Sequence, residues 1–118
     1  MRAKDAVGAY GERVAARHLQ QHGLVVLDRN WRCSDGELDI VARDGDALVF
    51  CEVKTRRSER HGVPAEALVA AKTARLRRLA VRWISEADVH AGTVRFDVVS
   101  VRPQRSGPAL VEHLRGAF

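Results

Sequence analysis

Two acidic residues and a lysine near the middle of the chain, Asp39, Glu52 and Lys54, have the types and spacing of a site that holds a divalent cation against a phosphodiester. They lie in GELDIVARDGDALVFCEVKTR, residues 36–56, where strand-like runs at 37–43 and 47–55 flank the hairpin signal Asp44-Gly45-Asp46. Strand side chains alternate between faces, so the register of this hairpin decides whether the three meet. A two-residue turn at Asp44-Gly45 sets Glu37 opposite Glu52, with Asp39 as the diagonal neighbour. Moving the turn by one residue sets Asp39 directly opposite Glu52. Both registers bring Asp39, Glu52 and Lys54 to one face, whereas a three-residue loop does not unless a bulge restores the parity.

Carboxylates opposed on a sheet repel one another and need a compensating cation. Lys54 is one candidate. A hard divalent ion, Mg²⁺ or Mn²⁺, is another, with Asp39 and Glu52 as its ligands and substrate phosphate completing the shell. Such an ion stabilises charge on a phosphoryl oxygen and activates a water. Lys54 then orients or deprotonates that water. A Glu-x-Lys on an amphipathic strand is ordinarily a solvated face. Against that, Ala47 to Val53 is apolar apart from Glu52, so the strand reads as buried on both sides. A carboxylate there must be paired or bind metal.

Further residues could serve the same chemistry. Glu12 sits at the edge of the apolar arc of the first helix, where it can point into a groove between helix and sheet or simply stay on the surface. Lys72 falls within the apolar stripe of the second long helix, either snorkelling or reaching for phosphate. Arg75, Arg78 and Arg82 form a basic stripe at helical spacing, a solvated face or a phosphate contact. Arg29, Trp31 and Arg32 set an aromatic between two cations, suited to stacking on an exposed base, though Trp31 serves equally well as a core plug. There is no GxxxxGK loop, GxGxxG, GxSxG or zinc-ligand spacing of Cys and His.

These residues need a scaffold, and 118 residues supply one domain, 1–118, with enough chain for a core. At 46% hydrophobic and 30% charged the composition is that of a globular domain, and a net charge of +5 favours polyanionic partners, nucleic acid before an anionic membrane. No apolar run is long enough to span a bilayer and no signal-peptide pattern opens the chain. Cys33 and Cys51 make no disulfide framework, and Cys51 reads as a small core residue, which together imply a reduced, cytoplasmic setting. The patterning predicts a helix over 4–22 ended by Gly23, a strand over 24–27, a polar loop over 28–36, and the hairpin. A loop from Arg56 to Gly62, a helix from Pro64 to about Ser85, and strands over 93–101 and 110–114 follow.

GELDIVARDGDALVFCEVKTR resembles the signature segment of the YraN-like family of uncharacterised bacterial proteins. Gly8-x-x-Gly11-Glu12 with Ala15, Arg29-Asn30-Trp31-Arg32, Lys72, Arg95 to Val99 and the ending from His113 to Phe118 extend the resemblance over nearly the whole chain. That family is similar to the PD-(D/E)xK, or restriction-endonuclease-like, superfamily and within it to archaeal Holliday-junction resolvases. The resemblance implies an α/β fold with a central mixed sheet flanked by helices. It places Asp39 as the motif's first acidic residue, Glu52 and Lys54 as its ExK, and Glu12 as the helix glutamate of the resolvase-like branch. Leu38 stands where the motif nominally has proline. The resemblance implies a Mg²⁺- or Mn²⁺-dependent nuclease acting on DNA more than RNA, with branched DNA as a candidate substrate and a homodimer as a candidate assembly. The alternatives are a non-catalytic nucleic-acid-binding module on the same fold and a protein-interaction factor.

Overall fold

The computed structural model describes residues 3–56 and 65–118, with side chains over 6–56 and 73–118. Its elements run α1 (Ala3–Gln21), β1 (Val25–Cys33), β2 (Gly36–Asp44), β3 (Ala47–Thr55), α2 (Ala65–Ala87), β4 (Thr93–Arg102) and β5 (Leu110–Leu114). The loop expected from Arg56 to Gly62 and the helix start at Pro64 lie outside the described residues, apart from Arg56 itself.

Helix α1 stops where the sequence says it should. Gly23 takes φ 90°, Gly23 N–H donates to Gln20 O at 3.1 Å, and Leu24 N–H donates to Leu19 O at 3.0 Å. This is a Schellman cap, which needs a residue free to adopt positive φ. Strands β1 to β3 then form an antiparallel meander, α2 carries the chain across, and β4 pairs parallel with β3 before β5 closes an edge. The order is β1-β2-β3-β4-β5, one mixed sheet with α1 on one face and α2 on the other.

The hairpin closes at Asp44↔Ala47 around Gly45-Asp46, with φ 60° at Gly45. Glycine at the first central position is what a type II′ turn demands. Of the two registers open to the sequence, this is the one that aligns Asp39 with Glu52: Ile40 pairs with Cys51, one step before them.

The sheet's faces hold two cores. Ala15, Leu19, Ile40, Val49, Val99 and Val101 pack under α1. Leu38, Val41, Phe50, Leu79, Trp83 and Phe96 pack under α2. Leu38 and Ile40 are two residues apart yet join opposite cores, so strict alternation fails between them. The residue at the break is Asp39. On the neighbouring strand its partner by register is Asn30, which takes φ 54°.

The polar loop expected over 28–36 is instead most of a strand. β1 continues to Cys33, pairing Trp31 with Leu38 and Arg32 with Glu37, and the turn is confined to Ser34-Asp35. An edge strand tolerates polar residues because one side of it faces water, and the run DRNWRC reads as a loop only when its partner is ignored. Trp31 is half-buried against the α2-side core, the packing alternative of the two its sequence allowed.

Candidate active site

Asp39 sits where β2 and β3 part. The paired register ends at Ile40↔Cys51, and beyond it Val53 N–H donates to Asp39 Oδ2 at 2.8 Å rather than to a β2 carbonyl. A carboxylate thus replaces a rung of the sheet and is fixed by a charge-assisted bond. The gap opens as a cleft of about 210 Å³ lined by Gly36, Glu37, Asp39, Cys51, Glu52 and Arg75. Glu52 is 15% exposed there, and Lys54 Nζ lies 3.4 Å from its Oε1.

Glu12 arrives from the α1 side. A β-carbon on the adjacent Gly11 would overlap the Thr55 hydroxyl, so glycine lets the helix seat directly on β3. With its amide nitrogen turned toward α1, Asn30 donates to Glu12 Oε1 at 2.8 Å and Oε2 at 3.0 Å. The left-handed backbone at Asn30 is what aims that amide at the helix, and asparagine is among the few residues that adopt it readily.

Crowding sets the electrostatics. Burial raises the Asp39 carboxyl, opposed by the Val53 N–H, and Glu52 and Glu37 raise it further. Glu12 is raised by burial, then by Asp39 and Glu37, against the pull of Arg29. Asp39 raises Glu12 because two carboxylates brought together disfavour both being ionised. A folded-state pKa above the ordinary carboxylate value costs stability at neutral pH, and that cost vanishes once the pH falls below the ordinary value. Glu12→Gln, which retains a donor toward Asp39, is therefore expected to raise stability by about 0.5–1 kcal/mol at pH 7, the scale of a relieved like-charge pair. Thermal melts from pH 7 to pH 4 check this: the gain should disappear in acid.

The arrangement fits a hard cation. The charged side chains that line the cleft from β2 and β3 are all carboxylates, and carboxylates crowded this way call for a compensating cation. Glu12, Asp39 and Glu52 do not all close to within 4.8 Å of one another among the described residues. Mg²⁺ requires only one or two carboxylates when phosphate and water supply the rest.

The structure treats the predicted phosphate contacts unequally. Arg75 lines the cleft with the carboxylates. Arg78 is exposed on α2. Arg82 braces the β1–β2 turn, donating to Ser34 Oγ at 3.1 Å and pairing with Asp35 at 3.4 Å and Glu86 at 3.2 Å. Arg32 pairs with Glu37 at 3.1 Å, and Arg29 is exposed on β1 near Glu12. The side chain of Lys72 lies outside the described residues, although its backbone continues α2.

Sequence reasoning missed a second buried cluster. Asp97 is fully buried on β4. Its Oδ1 accepts from Arg95 Nε at 2.9 Å and from Gly116 N–H at 2.9 Å. Its Oδ2 accepts from Arg95 at 3.0 Å and meets His113 Nε2 at 2.7 Å. Cys51, Asp97 and His113 bring potential metal-ligand atoms within 4.8 Å of one another. The chemistry is that of an ionic anchor. Both Asp97 oxygens are occupied, a guanidinium already neutralises the carboxylate, and burial with Asp97 nearby pushes the Cys51 thiol up to about 12, so it stays protonated. The signal was the one used for Glu52, a carboxylate inside an apolar strand (VRFDVVSV), and it applied equally to Asp97.

Comparison with known proteins matches residues 11–101 to the model of uncharacterised protein family UPF0102. The chain is 66% identical over 116 residues to a UPF0102 protein of Beutenbergia cavernae, covering 98% of each chain. The chain belongs to family UPF0102, the YraN-like proteins. UPF0102 proteins of Frankia casuarinae (59% identical, 100% of each chain) and Kineococcus radiotolerans (57%, 98% of this chain and 96% of that one) align over the same span. The family match therefore contains the whole carboxylate site, from Glu12 on α1 to Lys54 on β3, and Asp97 with Arg95 as well. No helix of the described UPF0102 chain is long and apolar enough to cross a membrane.

Proposed function

We propose that this UPF0102 protein is a Mg²⁺- or Mn²⁺-dependent nuclease of the PD-(D/E)xK type. The observation that carries the reading is that Asp39 and Glu52 line one open cleft from neighbouring strands, with Lys54 Nζ 3.4 Å from Glu52 and Glu12 approaching Asp39 from α1. Asp39 from one strand and Glu52-Val53-Lys54 from the next supply the acidic and ExK parts of the motif, with Leu38 in place of its nominal proline.

Asp39 and Glu52 hold the metal, and Glu12 supports Asp39 from α1. The ion supplies neutralisation of the carboxylates and of the charge that develops on the phosphoryl oxygens. The chain's own groups do the rest. Val53 N–H fixes the Asp39 carboxylate in one orientation. Lys54, held beside Glu52, orients the attacking water and steadies the negative charge it brings. Arg75 faces the cleft from α2 and holds a phosphate, with Lys72 and Arg78 on the same helix and Arg29 on β1 as further phosphate contacts, whereas Arg82 and Arg32 are engaged in ion pairs and Trp31 in packing. A pure binding module gains nothing from acidic groups facing phosphate. The resolvase likeness extends the proposal to a homodimer acting on branched DNA.

The test is a cleavage panel of linear, flapped, four-way and single-stranded substrates, with and without Mn²⁺, for wild type, Glu52→Ala and Lys54→Ala. Metal-dependent cutting by wild type alone is the expected result. Equal cutting by all three proteins would mark a contaminant, and metal-independent binding that survives Glu52→Ala without any cutting would leave a binding module.

A further inference from the structure

A second opening, of about 720 Å³, is lined by Tyr10, Arg13 and Arg17 of α1, by Arg29 of β1, and by Pro108 and Val111 across from them. Tyr10, Arg13 and Arg17 are spaced three and four residues apart and so share one side of the helix. That helix is the one that delivers Glu12 to Asp39. Arg13 and Arg17 are exposed, and neither makes a side-chain hydrogen bond or ion pair among the described residues. Other arginines of this chain are committed: Arg32 to Glu37, Arg82 to Asp35 and Glu86, Arg95 to Asp44 and Asp97. Arg13 and Arg17 are thus available for an external anion, and they stand about 6 Å apart along the helix axis, the scale of one nucleotide step.

The remaining lining narrows the choice of anion. Tyr10 is half-buried with its ring in the groove, and Val14, Ala109 and Val111 give it an apolar wall. An aromatic beside guanidinium groups and an apolar wall is the composition that binds backbone phosphates and an unstacked base together. A duplex offers phosphates but keeps its base faces stacked, leaving Tyr10 and the wall without a partner.

We propose that this groove binds a single nucleic-acid strand, with phosphates on Arg13 and Arg17, a base on Tyr10, and Arg29 at the end nearest Glu12. The proposal rests on the nuclease reading, and it differs from the α2 stripe in placing the strand on the opposite face of the sheet.

The experiment is equilibrium binding of a fluorescent single-stranded oligonucleotide and of its duplex, without divalent metal so that nothing is cut, across a salt series. Wild type is compared with Arg13→Ala/Arg17→Ala, Tyr10→Ala, and Arg75→Ala/Arg78→Ala, with far-UV circular dichroism confirming the fold of each. Expected is a single-strand affinity at least tenfold weaker for the α1 double variant. Its log–log salt slope should be shallower by about 1.4, because two phosphate contacts at about 0.7 each are removed. Tyr10→Ala should lose about fivefold to a hundredfold with an unchanged slope. Wild-type affinity and slope in the α1 variant, with binding lost in the α2 variant, would overturn the groove assignment while leaving the nuclease reading in place. Losses confined to the duplex would overturn the single-strand assignment. Failure of wild type to bind either probe at low salt would overturn both this proposal and the reading beneath it.

Discussion

Glu52→Ala is expected to slow metal-dependent cleavage at least a thousandfold while leaving the melting temperature within a few degrees of wild type. A metal ion contributes several kcal/mol of transition-state charge stabilisation, and a thousandfold loss corresponds to about 4 kcal/mol. The small stability effect follows from the neighbourhood, since Glu52 adds repulsion to Asp39 that its removal relieves. Lys54→Ala should cost less, about a hundredfold, because water can still be positioned by the remaining groups. Raising Mn²⁺ should recover part of the Glu52→Ala loss and none of the Lys54→Ala loss. The separation of activity from stability is the signature sought: a merely structural Glu52 would lower both together.

Asp97→Ala is expected to do the reverse, destabilising the protein while leaving the carboxylate cleft chemically intact. Removing one partner from a buried ion pair strands the other, typically at 3–5 kcal/mol. Arg95 also pairs with Asp44 at 3.0 Å and is partly exposed, which places the expected loss near the lower end, about 3 kcal/mol. Denaturant melts measure it. The effect has a defined pH dependence. Burial raises the Asp97 carboxyl, but Arg95, the Gly116 N–H and His113 together outweigh burial and hold it below the usual carboxylate range. A depressed folded-state pKa gives stability that is present above the unfolded value and is lost as pH falls through the folded one. The gap between wild type and Asp97→Ala should therefore be widest at neutral pH and close in acid. Because Asp97 ties β4 to His113 of β5 and to Gly116, the last residues of the chain should exchange amide protons faster in the variant.

Much of this was legible in the sequence because the relevant signals are local. The Asp44-Gly45-Asp46 turn and the apolar runs beside it give two registers for a two-residue turn, and one of them is the register found. Gly23 caps α1 as its position suggests. What stayed hidden depends on contacts distant along the chain. β1 reads as a loop from Asp28 onward because its polar residues are stabilised by pairing with β2, as in Arg32 with Glu37, rather than by burial. The break in alternation at Asp39 is invisible to a periodicity argument, because it arises from Asn30 and Val53 on the two flanking strands. The Asp97 anchor joins residues 16 and 19 positions away in sequence, and no spacing rule connects them. Of the basic residues, the α2 stripe was visible as periodicity, yet its Arg82 is spent on the Ser34-Asp35 turn, while Arg13 and Arg17 of α1 stand open.

The central claim is that the carboxylates around Asp39 form a seat for a divalent cation, and direct titration with Mn²⁺ monitored by electron paramagnetic resonance addresses it without reference to any substrate. Wild type should show saturable binding at millimolar Mn²⁺ or below, weakened at least tenfold by Asp39→Ala, with a rise in melting temperature that follows the occupancy. Binding of equal strength in wild type and Asp39→Ala, or none at all in wild type, would contradict the account.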